Sequence, residues 1–202
     1  MTYEIIAALF MFALVSSITP GPNNLMLMAS GANFGLRRTV PHMLGVAGGF
    51  VGMIVMVGAG LAQLFQIYPA AHTVLTVLSA IYLLYLAWKI ATAGPAKAGD
   101  ATGRPLNFWQ AAAFQWVNPK AWTMALTATT VYMPEQSWHA LATVAIIFGA
   151  VNLPSVGSWT IMGQQMARFL TNRWRLSAFN YIMAGLLVLS LVPALWPVLW
   201  PA

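Results

Sequence analysis

The chain has no cysteine, and only three of its 202 residues are acidic. The first absence excludes disulfides, thiolate metal sites and thiol relays. The acids, Glu4, Asp100 and Glu135, lie near the ends of apolar stretches or in the gaps between them. No stretch therefore holds a carboxylate pair for acid–base work, and a cationic ligand side chain would find no counter-charge inside one. Charge of either sign is scarce, at 6% of residues, while 60% are hydrophobic and nine are Trp. With a mean hydropathy of +0.74, the chain exceeds what a soluble domain keeps off its surface.

What is present is a series of long apolar stretches. A membrane span needs roughly 20 apolar residues, and six stretches qualify: about Tyr3 to Phe34, Pro41 to Leu64, Ala70 to Ala93, Phe108 to Met133, Trp138 to Met166, and Ala178 to Trp200. The expected fold is an all-α integral membrane protein, a single membrane domain over 1–202. Gly94 to Asn107, rich in Gly, Pro and Lys, is its longest linker. Ile5 to Val15 has the length of a signal-peptide core, but it lacks a positive leader and more spans follow, so it is read as part of the mature protein.

Eight of the nine cations fall between spans. Arg37 and Arg38 follow the first; Lys89, Lys97 and Arg104 separate the third and fourth; Arg168, Arg173 and Arg175 separate the fifth and sixth. The opposite gaps carry Glu4 and Glu135 and no cation. This is the positive-inside pattern, and it puts both termini outside the cytoplasm. A re-entrant first segment would instead put the N-terminus inside and leave five full spans. The net charge of +6 then marks topology and contacts with anionic lipids, with no nucleic-acid partner. His42, His72 and His139 sit near span ends and are read as interfacial residues, not as a metal cluster. Tyr3, Trp88, Trp109, Trp138, Trp174, Trp196 and Trp200 read as an aromatic belt.

Lys120 is the exception, a cation inside an apolar stretch. On insertion scales that costs at least about 2.5–3.5 kcal/mol, so such a residue usually binds or holds something. It follows Asn118 and Pro119, and an Asn cap with Pro in the first helical position starts a helix well. The fourth span is therefore expected to break there. The first span, about 30 residues, would be roughly 45 Å as one helix against a hydrocarbon core of roughly 30 Å. It contains Thr19-Pro20-Gly21-Pro22-Asn23-Asn24, which removes backbone donors and forces an extended residue. Asn152-Leu153-Pro154 is a third, weaker candidate break, since one proline can simply kink a helix.

Breaks in spans one and four suggest two inverted three-helix repeats, about 1–93 and about 108–202. Corresponding broken helices in inverted halves point to a midplane transporter site. Half-helix N-termini beside Lys120 suit an anionic group such as a carboxylate. The expected substrate-binding set is Pro20, Gly21, Pro22, Asn23, Asn24, Gln115, Asn118, Pro119, Lys120 and Asn152, with no cofactor and no metal. The glycines Gly45, Gly48, Gly49 and Gly52 read as close helix packing, and the face from Gly45 to Gly49 suits a homodimer as well as contacts within the chain.

Thr19 to Asn24 late in the first span, the glycine-rich second span and Asn118-Pro119-Lys120-Ala121 in the fourth together resemble the LysE/RhtB family of amino-acid exporters. Tyr85 to Ala91, and Phe108-Trp109 through Phe114-Gln115, are similar to its branch that exports cysteine and O-acetylserine. The resemblance implies efflux of amino acids or close analogues across the bacterial inner membrane, driven by protons. It makes Lys120 the charged candidate for coupling, because lysine pKa values fall readily on burial, and the missing intramembrane acid favours small neutral substrates. A non-transporting membrane scaffold is the alternative. A membrane-embedded enzyme would need a constellation of acids, metal ligands or an activated nucleophile that is absent from the sequence.

Overall fold

Most of these segments are apolar around their whole circumference, so helix is selected by the need to pair every backbone N–H and C=O within the segment. The computed structural model describes residues 1–61, 67, 69–93, 104–133, 137–192 and 195. Among them every regular element is helical: α1 (Tyr3–Ile18), α2 (Pro22–Met56) continued by a π turn (Val57–Leu61), α3 (Pro69–Ala91), α4 (Phe108–Phe114) with a 3-10 turn (Gln115–Val117), α5 (Pro119–Val131), α6 (Trp138–Met166) and α7 (Arg173–Leu189). Among the described residues, three helical stretches are long and apolar enough to cross a membrane: Pro22–Leu61, Thr73–Ala91 and Trp138–Met166.

The expected break in the first span is present, since α1 ends at Ile18 and α2 begins at Pro22. α2 itself is two limbs. Gly35 has φ 77° and ψ 167°, a region favourable only to glycine, and the hydroxyls of Ser30 and Thr39 meet at 2.9 Å. Nine residues of straight helix would rise about 13 Å, so the chain doubles back at Gly35, and limb 22–34 packs against limb 36–56. The returning limb is capped from elsewhere: the Leu36 N–H donates to Gln164 Oε1 at 2.6 Å.

The fourth span breaks at Asn118, also as expected, while α6 runs unbroken through Asn152 and Pro154. The third candidate break is thus a proline accommodated inside a continuous helix. The last helix starts at Arg173 rather than near Ala178, because the Asn172 side chain accepts the Arg175 N–H at 2.8 Å and caps it. Arg173 and Arg175 are therefore first-turn residues, not loop residues. Most of the linker, with Lys97 and Asp100, lies outside the described residues, as do Glu135, Trp196 and Trp200. The belt residues that are described, Tyr3, Trp88, Trp109, Trp138 and Trp174, are all exposed.

Packing is tightest where glycines let backbones touch. A Cβ on Gly31 would strike the Thr160 carbonyl, and one on Gly163 would strike the Met28 carbonyl, so the first limb of α2 lies directly on the end of α6. Gly45 and Gly49 bring the second limb onto Phe108, Ala111 and Ala112 of α4. That stripe is used within the chain. An aromatic group, Phe12, Phe50 and Phe148 in edge-to-face contact, fills the core between α1, α2 and α6, and Phe50 also borders the site described below.

One position contradicts its sequence reading. His42 is not interfacial: it is 2% exposed, because the reversal at Gly35 turns its face of α2 inward. His139 is exposed, and the His72 side chain lies outside the described residues. From the packing, Gly31→Ala is expected to destabilise the folded protein by about 1–3 kcal/mol, the usual range for overpacking. Gly52→Ala, which faces open space, should be near neutral; thermal unfolding of the two variants in detergent measures the difference.

Candidate functional site

The end of a helix leaves carbonyls without partners, and in an apolar solvent the protein must supply donors. At the end of α1 it does so with side chains from four elements. Thr19 Oγ1 donates to Ser16 O (3.0 Å). Asn24 Nδ2, from α2, donates to Ser17 O (2.7 Å) and Thr19 O (2.8 Å). Trp159 Nε1, from α6, donates to Ile18 O (3.0 Å). Lys120 Nζ, from α5, donates to Thr19 O (2.8 Å), Thr19 Oγ1 (2.9 Å) and, at 3.4 Å, Pro20 O.

Lys120 is thus held at the C-terminal, electronegative end of α1, where a cation is favoured by the helix dipole. Its own N–H is capped by Asn118 Oδ1 at 3.1 Å, with Pro119 in the first helical position. Gly21 makes room for the lysine stem, since a Cβ there would overlap Lys120 Cδ. A second bond joins the breaks: Asn23 Nδ2 donates to Gln115 Oε1 (2.8 Å), and Gln115 Nε2 returns a bond to Asn23 Oδ1 (3.2 Å). Gln115 also donates to Ala111 O (2.9 Å) and is fully buried.

Beside these contacts lies a small pocket, partly open to the surface, with a cavity volume of about 20 Å³. Ser16, Ser17, Asn23, Asn24, Asn118, Lys120 and Asn152 give it polar walls; Gly21, Phe50, Ala121, Met124 and Val156 complete it. No carboxylate among the described residues lines it. Asn152 is buried, and its Nδ2 lies 3.5 Å from Ser17 Oγ while its Oδ1 has no partner among the described residues. Gly21 has no side chain with which to cap α2, so Asn23 and Asn24 present first-turn N–H groups with no side-chain acceptor.

Of the expected site residues, Gly21, Asn23, Asn24, Asn118, Lys120 and Asn152 line the pocket. Gln115 stands behind it, bonded to Asn23; Pro20, Pro22 and Pro119 shape the breaks. Trp116 and Trp122 brace the second break, with rings 5.9 Å apart and Trp122 Nε1 bonded to Trp116 O. Sequence reasoning missed Ser16, Ser17, Phe50, Met124 and Val156, as well as Trp159. Only the serines had a local signal, two hydroxyls in the last turn before a break.

A family model described as LysE type translocator matches residues 14–192. The chain is 30% identical over 193 residues to the cysteine/O-acetylserine efflux proteins of Escherichia coli and Shigella sonnei, covering 93% of this chain and 96% of each relative. No solved structure matches. For the amide pair between the breaks, a double-mutant cycle of Asn23→Ala and Gln115→Ala is expected to give a coupling energy of about 1 kcal/mol, within the range for residues in one hydrogen-bond network. Additive losses in thermal unfolding would mean that the breaks are not energetically joined.

Proposed function

This chain belongs to the LysE type translocators, and we propose that it exports a small neutral amino acid of the cysteine or O-acetylserine class across the bacterial inner membrane, coupled to protons. Membership makes it a multi-pass membrane protein; the rest is our reading. The observation that carries it is the Lys120 ammonium lying across the two breaks, on Thr19 and Pro20, beside a pocket with hydrogen-bonding walls and no carboxylate.

An amino acid carries both of the groups that this contact holds together. Its carboxylate suits Lys120 and the first-turn N–H groups at Asn23 and Asn24, where the dipole of α2 also favours an anion. Its ammonium suits Asn152 Oδ1, which is buried without a partner, and the Thr19 and Pro20 carbonyls that Lys120 gives up on turning toward the carboxylate. Substrate binding thus exchanges one contact between cation and carbonyls for another, so the ammonium loses little desolvation energy as it enters. The side chain faces Phe50, Met124 and Val156, an apolar wall that fits a short neutral group.

Movement follows from the same exchange. While Lys120 and the Asn23–Gln115 pair bind α1 and α2 to α4 and α5, the breaks stay together. A substrate that competes for these donors loosens them, and two inverted three-helix halves then rock around the pocket for alternating access.

In proteoliposomes, Lys120→Ala and Asn118→Ala should each abolish amino-acid efflux while the protein stays folded; unchanged efflux by both would sink the site. Asn152→Asp, which adds the missing carboxylate, should admit a cationic amino acid that the wild type rejects, seen as lysine efflux above background. Binding that is independent of solute, with no amino acid raising thermal stability by mass action, would favour the scaffold reading.

A further inference from the structure

His42 is the buried titratable group that the site leaves unused. It is 2% exposed, and neither Nδ1 nor Nε2 has a hydrogen-bond partner among the described residues. A buried polar group with no partner is costly, since it gives up its hydrogen bonds to water without replacement, so a fold that retains one calls for a reason. Its position supplies the reason. His42, Val46 and Phe50 are spaced four residues apart on one face of α2, and Phe50 is a wall of the pocket. Residues 42 and 50 are separated by about 12 Å along the helix. The turn between them belongs to a small apolar cluster with Leu27, Ala111 and Val156, and Val156 is itself a pocket wall. In the other direction, Thr39 is one turn away and bonded to Ser30 across the reversal, and the exposed Arg37 and Arg38 follow. An imidazole thus stands between the pocket and the basic end of the molecule, behind one apolar layer.

Resting on the proton-coupled reading above, we propose that His42 is the proton-binding group of the transport cycle. Histidine is the side chain whose ordinary titration spans physiological pH. Its neutral ring keeps one N–H; the lone pair on the other nitrogen takes a proton from water when the surrounding helices open toward the acidic side. The imidazolium returns that proton to water on the opposite side. Each cycle therefore moves one proton inward for one amino acid outward, with no other bond made or broken. Lys120 is the poorer carrier, because its donors hold the end of α1 together and deprotonation would remove one of them.

Among the described side chains, the charged and titratable groups of the surrounding elements leave His42 without a competitor; the His72 side chain of α3 lies outside them. α4 contributes none; α6 contributes His139, exposed on its first turn; α5 contributes Lys120, at the pocket. Arg173, Arg175 and Tyr181 of α7 are exposed, as are Tyr85 and Lys89 of α3, while Tyr82 of α3 is half-buried. Arg37 and Arg38 of α2, and Arg104 before α4, are exposed. None of these elements brings a carboxylate among the described residues.

The test uses the full chain in proteoliposomes with labelled O-acetylserine and separates two activities: accumulation driven by an imposed pH gradient, and exchange of labelled for unlabelled substrate without a gradient. His42→Gln and His42→Ala should lose gradient-driven accumulation at least tenfold, about 1.4 kcal/mol of driving force, while exchange stays within about threefold of the wild type. Retained gradient-driven accumulation overturns the proposal, as does equal loss of both activities in folded protein. Should neither variant fold, nitrogen NMR of the His42 ring in a His72→Gln/His139→Gln background decides: a ring that keeps one protonation state from about pH 5 to 8 overturns it. A wild-type protein that shows neither accumulation nor exchange of any amino acid overturns the exporter reading, and this proposal with it.

Discussion

A helix that stops inside an apolar solvent leaves carbonyls that only the protein can pair, and the end of α1 is where this constraint bears on the whole molecule. Its carbonyls are met by Asn24 of α2, Trp159 of α6 and Lys120 of α5, so one broken turn draws three other helices together. The cation that looks costly in the sequence is placed where its charge is matched, at the negative end of a helix and beside three oxygens. Burial, charge and chain connectivity are satisfied by the same few bonds, and the pocket lies next to them because the break that exposes carbonyls also exposes N–H groups.

The second half of the site rests on amides rather than on charge. Asn23 and Gln115 bond in both directions, Asn118 caps α5, and Asn152 enters from α6. Amides donate and accept at once, which lets them meet a carboxylate or an ammonium without fixing a net charge in the membrane. A pocket of this kind, with an apolar wall of Phe50, Met124 and Val156, suits a zwitterion better than it suits any ion.

How much of this was legible in the sequence depends on how local the cause is. Pro20-Gly21-Pro22 and Asn118-Pro119 act through neighbouring residues, so both breaks could be read directly, and with them four of the seven polar residues that line the pocket. Partners across the fold could not be read. Nothing near Leu36 says that Gln164 caps it, nothing near Ile18 points to Trp159, and His42 looked interfacial because the reversal at Gly35 had no sequence signal beyond one glycine among many. Asn152-Leu153-Pro154 failed in the opposite way. The local motif suggests a break, yet α6 is held straight by contacts from α2 on the C-terminal side of that proline, at Thr160 and Gly163, and the helix passes through.

The cap on Leu36 has a mechanical meaning. Together with the backbone contacts at Gly31 and Gly163, it fastens the first limb of α2 and the reversal that follows it to the last turns of α6 at three points. Parts joined at three such points cannot slide or twist independently; any tilt of one must carry the other. Asn24 and Asn152, which stand on these two helices, are therefore carried on a single lever, and its far end is the reversal at Gly35.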